Sequence, residues 1–66
     1  MRLIINGEPR VLPGTDNVKD MLDRLGVDHQ TVAVMVNGEI VVRTNFETHP
    51  VRDNDTVEIV RFVGGG

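Results

Sequence analysis

An α+β fold, with a mixed sheet of four to five strands and one helix packed on one face, is what three features of the sequence predict. Two Asn-Gly pairs, Asn6-Gly7 and Asn37-Gly38, each lie between short apolar runs. Between these pairs, Val18, Met21, Leu22 and Leu25 recur at i, i+3, i+4 and i+7, the spacing of one helical stripe. A last β-branched run, residues 56–62, leads without a polar spacer into Gly64, Gly65 and Gly66.

The elements follow in order. "RLIIN" and "RVL" flank Gly7, Glu8 and Pro9, and Asn-Gly tolerates the positive φ that tight hairpin turns demand, so they form a first hairpin. After Pro13 and Gly14, the polar run Thr15, Asp16, Asn17 supplies N-cap oxygens for the helix. Its polar face carries Lys19, Asp20, Asp23 and Arg24. Gly26 stands where a left-handed residue closes a helix, with Val27 placed for the accompanying apolar contact.

From Thr31, "TVAVMVNGEIVVR" reads as a second hairpin. Every position from Val32 to Val36 is apolar, which points to a strand covered on both faces, or covered by the helix on one face and by a partner on the other. "TNFETHPVRDND" is a connector with breaks at Pro50 and at Asp53-Asn54-Asp55, and "TVEIVRF" is the last strand. This order is that of a β-grasp, with the first and last strands parallel in the middle; an α+β roll of another topology is the alternative. Residues 1–62 make the folded domain and residues 63–66 a flexible glycine-rich tail.

Composition narrows the function. A chain of 66 residues buries only about 60% of the surface it exposes when unfolded. Without Cys, neither disulfides nor a cysteine-based metal site can reinforce that small core. The net charge of −3, with seven basic residues spread singly, leaves no footprint for nucleic acid. No apolar run approaches the ~20 residues of a membrane span, and the start of the chain does not read as a signal peptide, so a cytoplasmic protein is expected.

Terminal glycines can be a frayed end. They can also be a finger: at 3.3–3.6 Å per extended residue, residues 63–66 project roughly 13 Å beyond the sheet. Without Cβ atoms such a tail has minimal girth, suited to a narrow slot. The reactive group at its tip is the α-carboxylate, ionised at neutral pH and a poor electrophile until activated. Transfer to the phosphate of ATP is the usual activation. The chain has no phosphate-binding loop and no nucleophile–base pair to catalyse that step, so it is expected to be the substrate of a partner enzyme and not an enzyme itself.

Over essentially its whole length the chain resembles the ThiS family, ubiquitin-like sulfur carriers of thiamine biosynthesis. "IINGE", "VKDMLDRLGV", "VAVMVNGEIVVR", the connector, "DNDTVEIVRFV" and the terminal glycines fall in the family's order. Val42 stands where the family often has Pro, and Asn54 where it often has Gly. The resemblance implies that an E1-like (ThiF-like) adenylyltransferase activates Gly66 with ATP and Mg, while this chain binds no cofactor. A cysteine desulfurase route then supplies sulfur to make a thiocarboxylate, which a ThiG-like thiazole synthase consumes. Gly65 and Gly64 would give access to the partner sites, and Val63, Phe62 and Val60 would make partner contacts. The small subunit of molybdopterin synthase is the nearest rival, though those chains are usually longer and often carry Pro before the tail. A plain ubiquitin-like interaction module is another.

If Val57 and Ile59 face the helix, alternation puts Val60 and Phe62 on the open face, an apolar patch beside the tail. The competing expectation is that Phe62 caps the core. His29 and His49 read as solvated loop histidines, and Asp53-Asn54-Asp55 as a turn, since the downstream Gly and Glu of a calcium loop are missing.

Overall fold

Both Asn-Gly pairs make the turns that their chemistry suggests. Asn6 and Gly7 have φ of 51° and 83°, Asn37 and Gly38 have 51° and 82°, so both turns use left-handed residues in succession, as type I′ hairpins require. In the computed structural model, which describes residues 1–62, the first turn joins β1 (Arg2–Ile5) to β2 (Glu8–Val11). The second joins β3 (Val32–Val36) to β4 (Glu39–Val41). Helix α1 (Val18–Leu25) lies between the hairpins in sequence, and β5 (Thr56–Arg61) follows them.

The five strands form one mixed sheet in the order β2-β1-β5-β3-β4. β5 runs parallel to β1 and antiparallel to β3, so strands from the two ends of the sequence meet at the centre. This is the expected β-grasp. The run from Val32 to Val36 pairs along both edges, but it is not covered on both faces by described elements: Val32, Val34 and Val36 are buried toward α1, whereas Ala33 and Met35 on the other face are half-buried.

Helix α1 begins at Asn17, whose side chain accepts from the Asp20 N–H at 2.8 Å. It ends at Gly26, φ 70°, with the Val27 N–H donating to the Leu22 carbonyl at 2.9 Å, the double closure of a left-handed C-terminal cap. Val18, Met21 and Leu22 are fully buried against Leu3, Val34 and Val57 of the sheet.

The connector between β4 and β5 has a larger role than its polar sequence suggests. It contains a 3₁₀ turn, Arg43–Asn45, and then supplies carbonyls to the exposed start of α1: Phe46 accepts from Lys19, and His49 from Val18, at 2.9 and 3.0 Å. The Val51 N–H donates back to the Asp16 carbonyl. With the Asn17 cap, these bonds satisfy the first-turn N–H groups that a helix cannot satisfy itself. The arrangement draws Phe46 and Val51, each 3% exposed, into the core.

The turn before β5 is fastened by its carboxylates. Asp53 accepts from the Arg2 N–H, and Asp55 accepts from the Arg52 N–H and the Asn37 amide. Asn54 holds φ of 70°, a left-handed conformation that Asn adopts more readily than most non-glycine residues.

Candidate functional site

Register decides what each face of the sheet offers. Val57 and Ile59 pair with Val36 and Val34 and point toward α1, while Glu58 and Val60 pair with Met35 and Ala33 and point away from it. Phe62, one residue past β5, continues the second set and donates its N–H to the Thr31 carbonyl at 2.8 Å. Val60 and Phe62 are more than half exposed, at 56% and 59%. The expectation that Phe62 caps the core fails because alternation along the strand turns its side chain to the face away from α1.

The open face extends outward from these two residues. Ala33 and Met35 are half-buried beside Val60, and Ile40, paired with Met35, is 73% exposed. Ile4, Pro9 and Val11 continue the apolar surface across β1 and β2, interrupted by Arg2 and Glu58. A face this apolar, uncovered by any described element and adjoining the last strand, suits contact with another macromolecule. Val63, Gly64, Gly65 and Gly66, and with them the expected flexible tail, lie outside the described residues.

The strongest side-chain cluster lies on the helical side of the sheet. Asp23 takes Lys19 Nζ at 3.1 Å on one oxygen and His29 Nε2 at 2.7 Å on the other. The Lys19 hydrogen bond, followed by that of His29, holds the Asp23 carboxyl below its usual range, and the same Asp23 contact raises the Lys19 ammonium. His29 also meets Phe46 edge-on, with centroids 6.3 Å apart. It is therefore a half-buried structural histidine and not the solvated loop residue expected. His49 Nδ1 lies 3.0 Å from the Pro50 carbonyl.

Among the described residues, no group of three or more His, Asp or Glu side chains could hold a metal ion. What the described residues offer is an exposed apolar face beside β5, the strand that precedes the glycines in sequence.

Comparison with known proteins gives a consistent result. The family model for the "ThiS family" matches residues 3–66. A sulfur carrier protein ThiS from Thermus thermophilus is 40% identical over 62 residues, covering 94% of this chain and 95% of that protein. A thiazole synthase from Paramagnetospirillum magneticum is 46% identical over all 66 residues, yet the chain spans only 20% of its length. The crystal structure of a thiamine biosynthesis protein (ThiS) from Geobacter metallireducens superposes with a TM-score of 0.84 at 39% identity, covering both chains completely.

Proposed function

The chain belongs to the ThiS family, and we propose on that premise that it is a sulfur carrier of thiamine biosynthesis, a protein cosubstrate and not a catalyst. The observation that carries the reading is the extent of the family match, residues 3–66, which takes in all three glycines beyond β5. The sulfur-carrier name of a relative aligned over nearly its full length supports it.

With Gly66 as the free carboxyl end, its carboxylate attacks the α-phosphorus of ATP on an E1-like, ThiF-like enzyme, and pyrophosphate leaves. The acyl-adenylate is then open to a persulfide delivered by a cysteine desulfurase route. Its outer sulfur forms the new bond to carbon while AMP departs with the C–O electron pair. A thiol then attacks the inner sulfur of the resulting acyl disulfide, so that the thiocarboxylate leaves and the thiol is oxidised to a disulfide. ATP and Mg belong to the activating enzyme. Gly64 and Gly65 fit the narrow approach to its nucleotide because they lack Cβ atoms. Val60 and Phe62 give the partner an apolar surface beside that approach, and Val63 joins the two.

A thiazole synthase is the proposed acceptor. Its support is that two relatives bearing that name, at 46% and 32% identity, each contain a segment matching this whole chain within a much longer protein. The carrier would act in the cytoplasm, where ATP and thiol-based sulfur transfer are available.

The test is the intact mass of the protein from its own cells, with its C-terminal peptide mapped before and after thiol alkylation. The chain has no Cys. An alkylatable group on Gly66, with one oxygen replaced by sulfur, is the expected result. A tail that stays unmodified with ATP, Mg, a sulfur source and the cognate activating enzyme would overturn the proposal. Removal of Gly65 and Gly66 separates the carrier from a plain interaction module: adenylation is lost while the fold persists.

A further inference from the structure

The hydrogen-bond phase of β5 leaves one stretch of its edge open. The Phe62 N–H bonds to the Thr31 carbonyl, which makes Arg61 and Val32 a non-hydrogen-bonded pair of the antiparallel ladder. The peptide N–H and C=O of Arg61 therefore point away from β3, toward the side occupied lower down by β1. Ile59 points the same way, two residues earlier.

β1 does not reach Arg61. It turns back at Asn6 and Gly7, and its last contribution to β5 is a side chain. Asn6 Oδ1 accepts from the Ile59 N–H at 2.8 Å, and Asn6 Nδ2 donates to the Ile59 carbonyl at 3.1 Å. The carboxamide imitates one more peptide unit and then the ladder stops. Arg61, the next residue in phase, has no backbone partner among the described residues.

A groove opens at this point on the helical side. Ile5, Leu25, Val27 and Ile59 contribute its apolar lining, and Arg10 and Arg61 line it as well, within a volume of about 340 Å³. Both arginines are exposed, and among the described residues neither has an ion-pair or side-chain hydrogen-bond partner.

We propose that this is a strand-docking site: an extended segment of a partner protein pairs with the Arg61 peptide on the side where β1 has turned away. An open donor and acceptor at strand spacing select extended backbone, the recognition mode of strand addition. Two cations above an apolar lining select its side chains, a carboxylate at one inward position and an aliphatic group two residues along. Charge complementarity identifies the occupant as an acidic, aliphatic segment of another protein. A second copy of this chain is the poorer fit, because two-fold pairing along the same edge would set one Arg61 against the other. The inference stands on the ladder and the groove, whether or not sulfur is the cargo.

The probe is a blocked octapeptide of valine, threonine and glutamate, with a lysine-for-glutamate control, titrated into the ¹⁵N-labelled full chain. Binding in the millimolar range, about −4 kcal/mol, is expected from the glutamate peptide. The Arg61 amide should gain at least about tenfold protection from exchange as it acquires a hydrogen bond. The amides of Glu58 and Val60, directed at β3, should keep their protection. Arg10→Glu with Arg61→Glu, both at exposed positions, should weaken binding about tenfold or more, and the lysine peptide should not bind. Three results would each overturn the proposal: no response at Arg61 at millimolar peptide, undiminished affinity of the double variant, or concentration-dependent protection of Arg61 without peptide, which would assign the edge to a second copy.

Discussion

The two phenylalanines of the chain exchange the places that their local sequence suggests. Phe46 sits in a polar connector yet is 3% exposed, while Phe62 ends an apolar strand and is 59% exposed. The difference is one of coverage and not of hydrophobicity. The connector is drawn down by the unsatisfied N–H groups at the start of α1, and Phe46 follows its own carbonyl onto the helix. Phe62 lies on the sheet face that no described element covers. A segment's backbone obligations can thus settle whether its aromatic residue is structural or available.

Truncating the buried phenylalanine has the largest expected effect. Phe46→Ala should cost about 3–5 kcal/mol, since it opens a cavity in a core this small. For a domain of this size that approaches the whole stability, roughly 0.05–0.15 kcal/mol per residue, so the variant should be largely unfolded in a urea titration. Phe62→Ala should move the urea midpoint by no more than about 0.5 kcal/mol. The same change should lower the rate of ATP–pyrophosphate exchange with the cognate activating enzyme by about tenfold, and a Phe62→Ala variant that unfolds would return this residue to the core.

A smaller effect sharpens the boundary near the start of the helix. Thr15 is 3% exposed and its hydroxyl has no hydrogen-bond partner among the described residues. Thr15→Val should therefore stabilise the fold by about 1 kcal/mol, measured by thermal unfolding. A loss of stability would mean that a partner for the hydroxyl exists in solution, a bound water for example.

The smallest effect concerns the pair beside Phe46. The Asp23 carboxyl is held low by Lys19 and His29, so its folded pKa lies below its unfolded one. Its contribution is present above the unfolded pKa and is lost as pH falls through the folded pKa. The urea midpoint of the chain should exceed that of Asp23→Asn slightly at neutral pH, and the two should converge in strong acid. Lys19, raised by the same contact, loses its contribution as pH rises through its folded pKa. Both partners are exposed and solvent screens the pair, so its effect should fall below that of Thr15→Val.

Much of the fold was legible because local chemistry and global arrangement agree. The Asn-Gly turns, the stripe from Val18 to Leu25 and the Gly26 closure are each set by residues within a few positions of one another. The outward set of Val60 and Phe62 also followed from alternation once Val57 and Ile59 were assigned to the helix. What was not legible depends on distant partners. The burial of Phe46 needs the carbonyl demand of α1, and the pairing of His29 with Asp23 needs a 3₁₀ turn, His29–Thr31, that periodicity does not announce. The open edge at Arg61 needs both the ladder phase and the point where β1 turns. Asn6 was visible as a turn residue, but its second role as a substitute peptide unit depends on a strand 53 positions away.

The meeting of β1 and β5 at the centre of the sheet also has a meaning during synthesis. A nascent chain made only as far as Asp55 has both hairpins and the helix but lacks the strand that joins them. Because domains are made from the N-terminus onward, that gap closes only after β5 has left the ribosome. Val60 and Phe62 arrive with the same strand, so an interrupted translation product has neither a completed sheet nor the two exposed apolar residues of its open face. Topology then acts as proofreading for length: a chain cut short before β5 cannot present the assembled face.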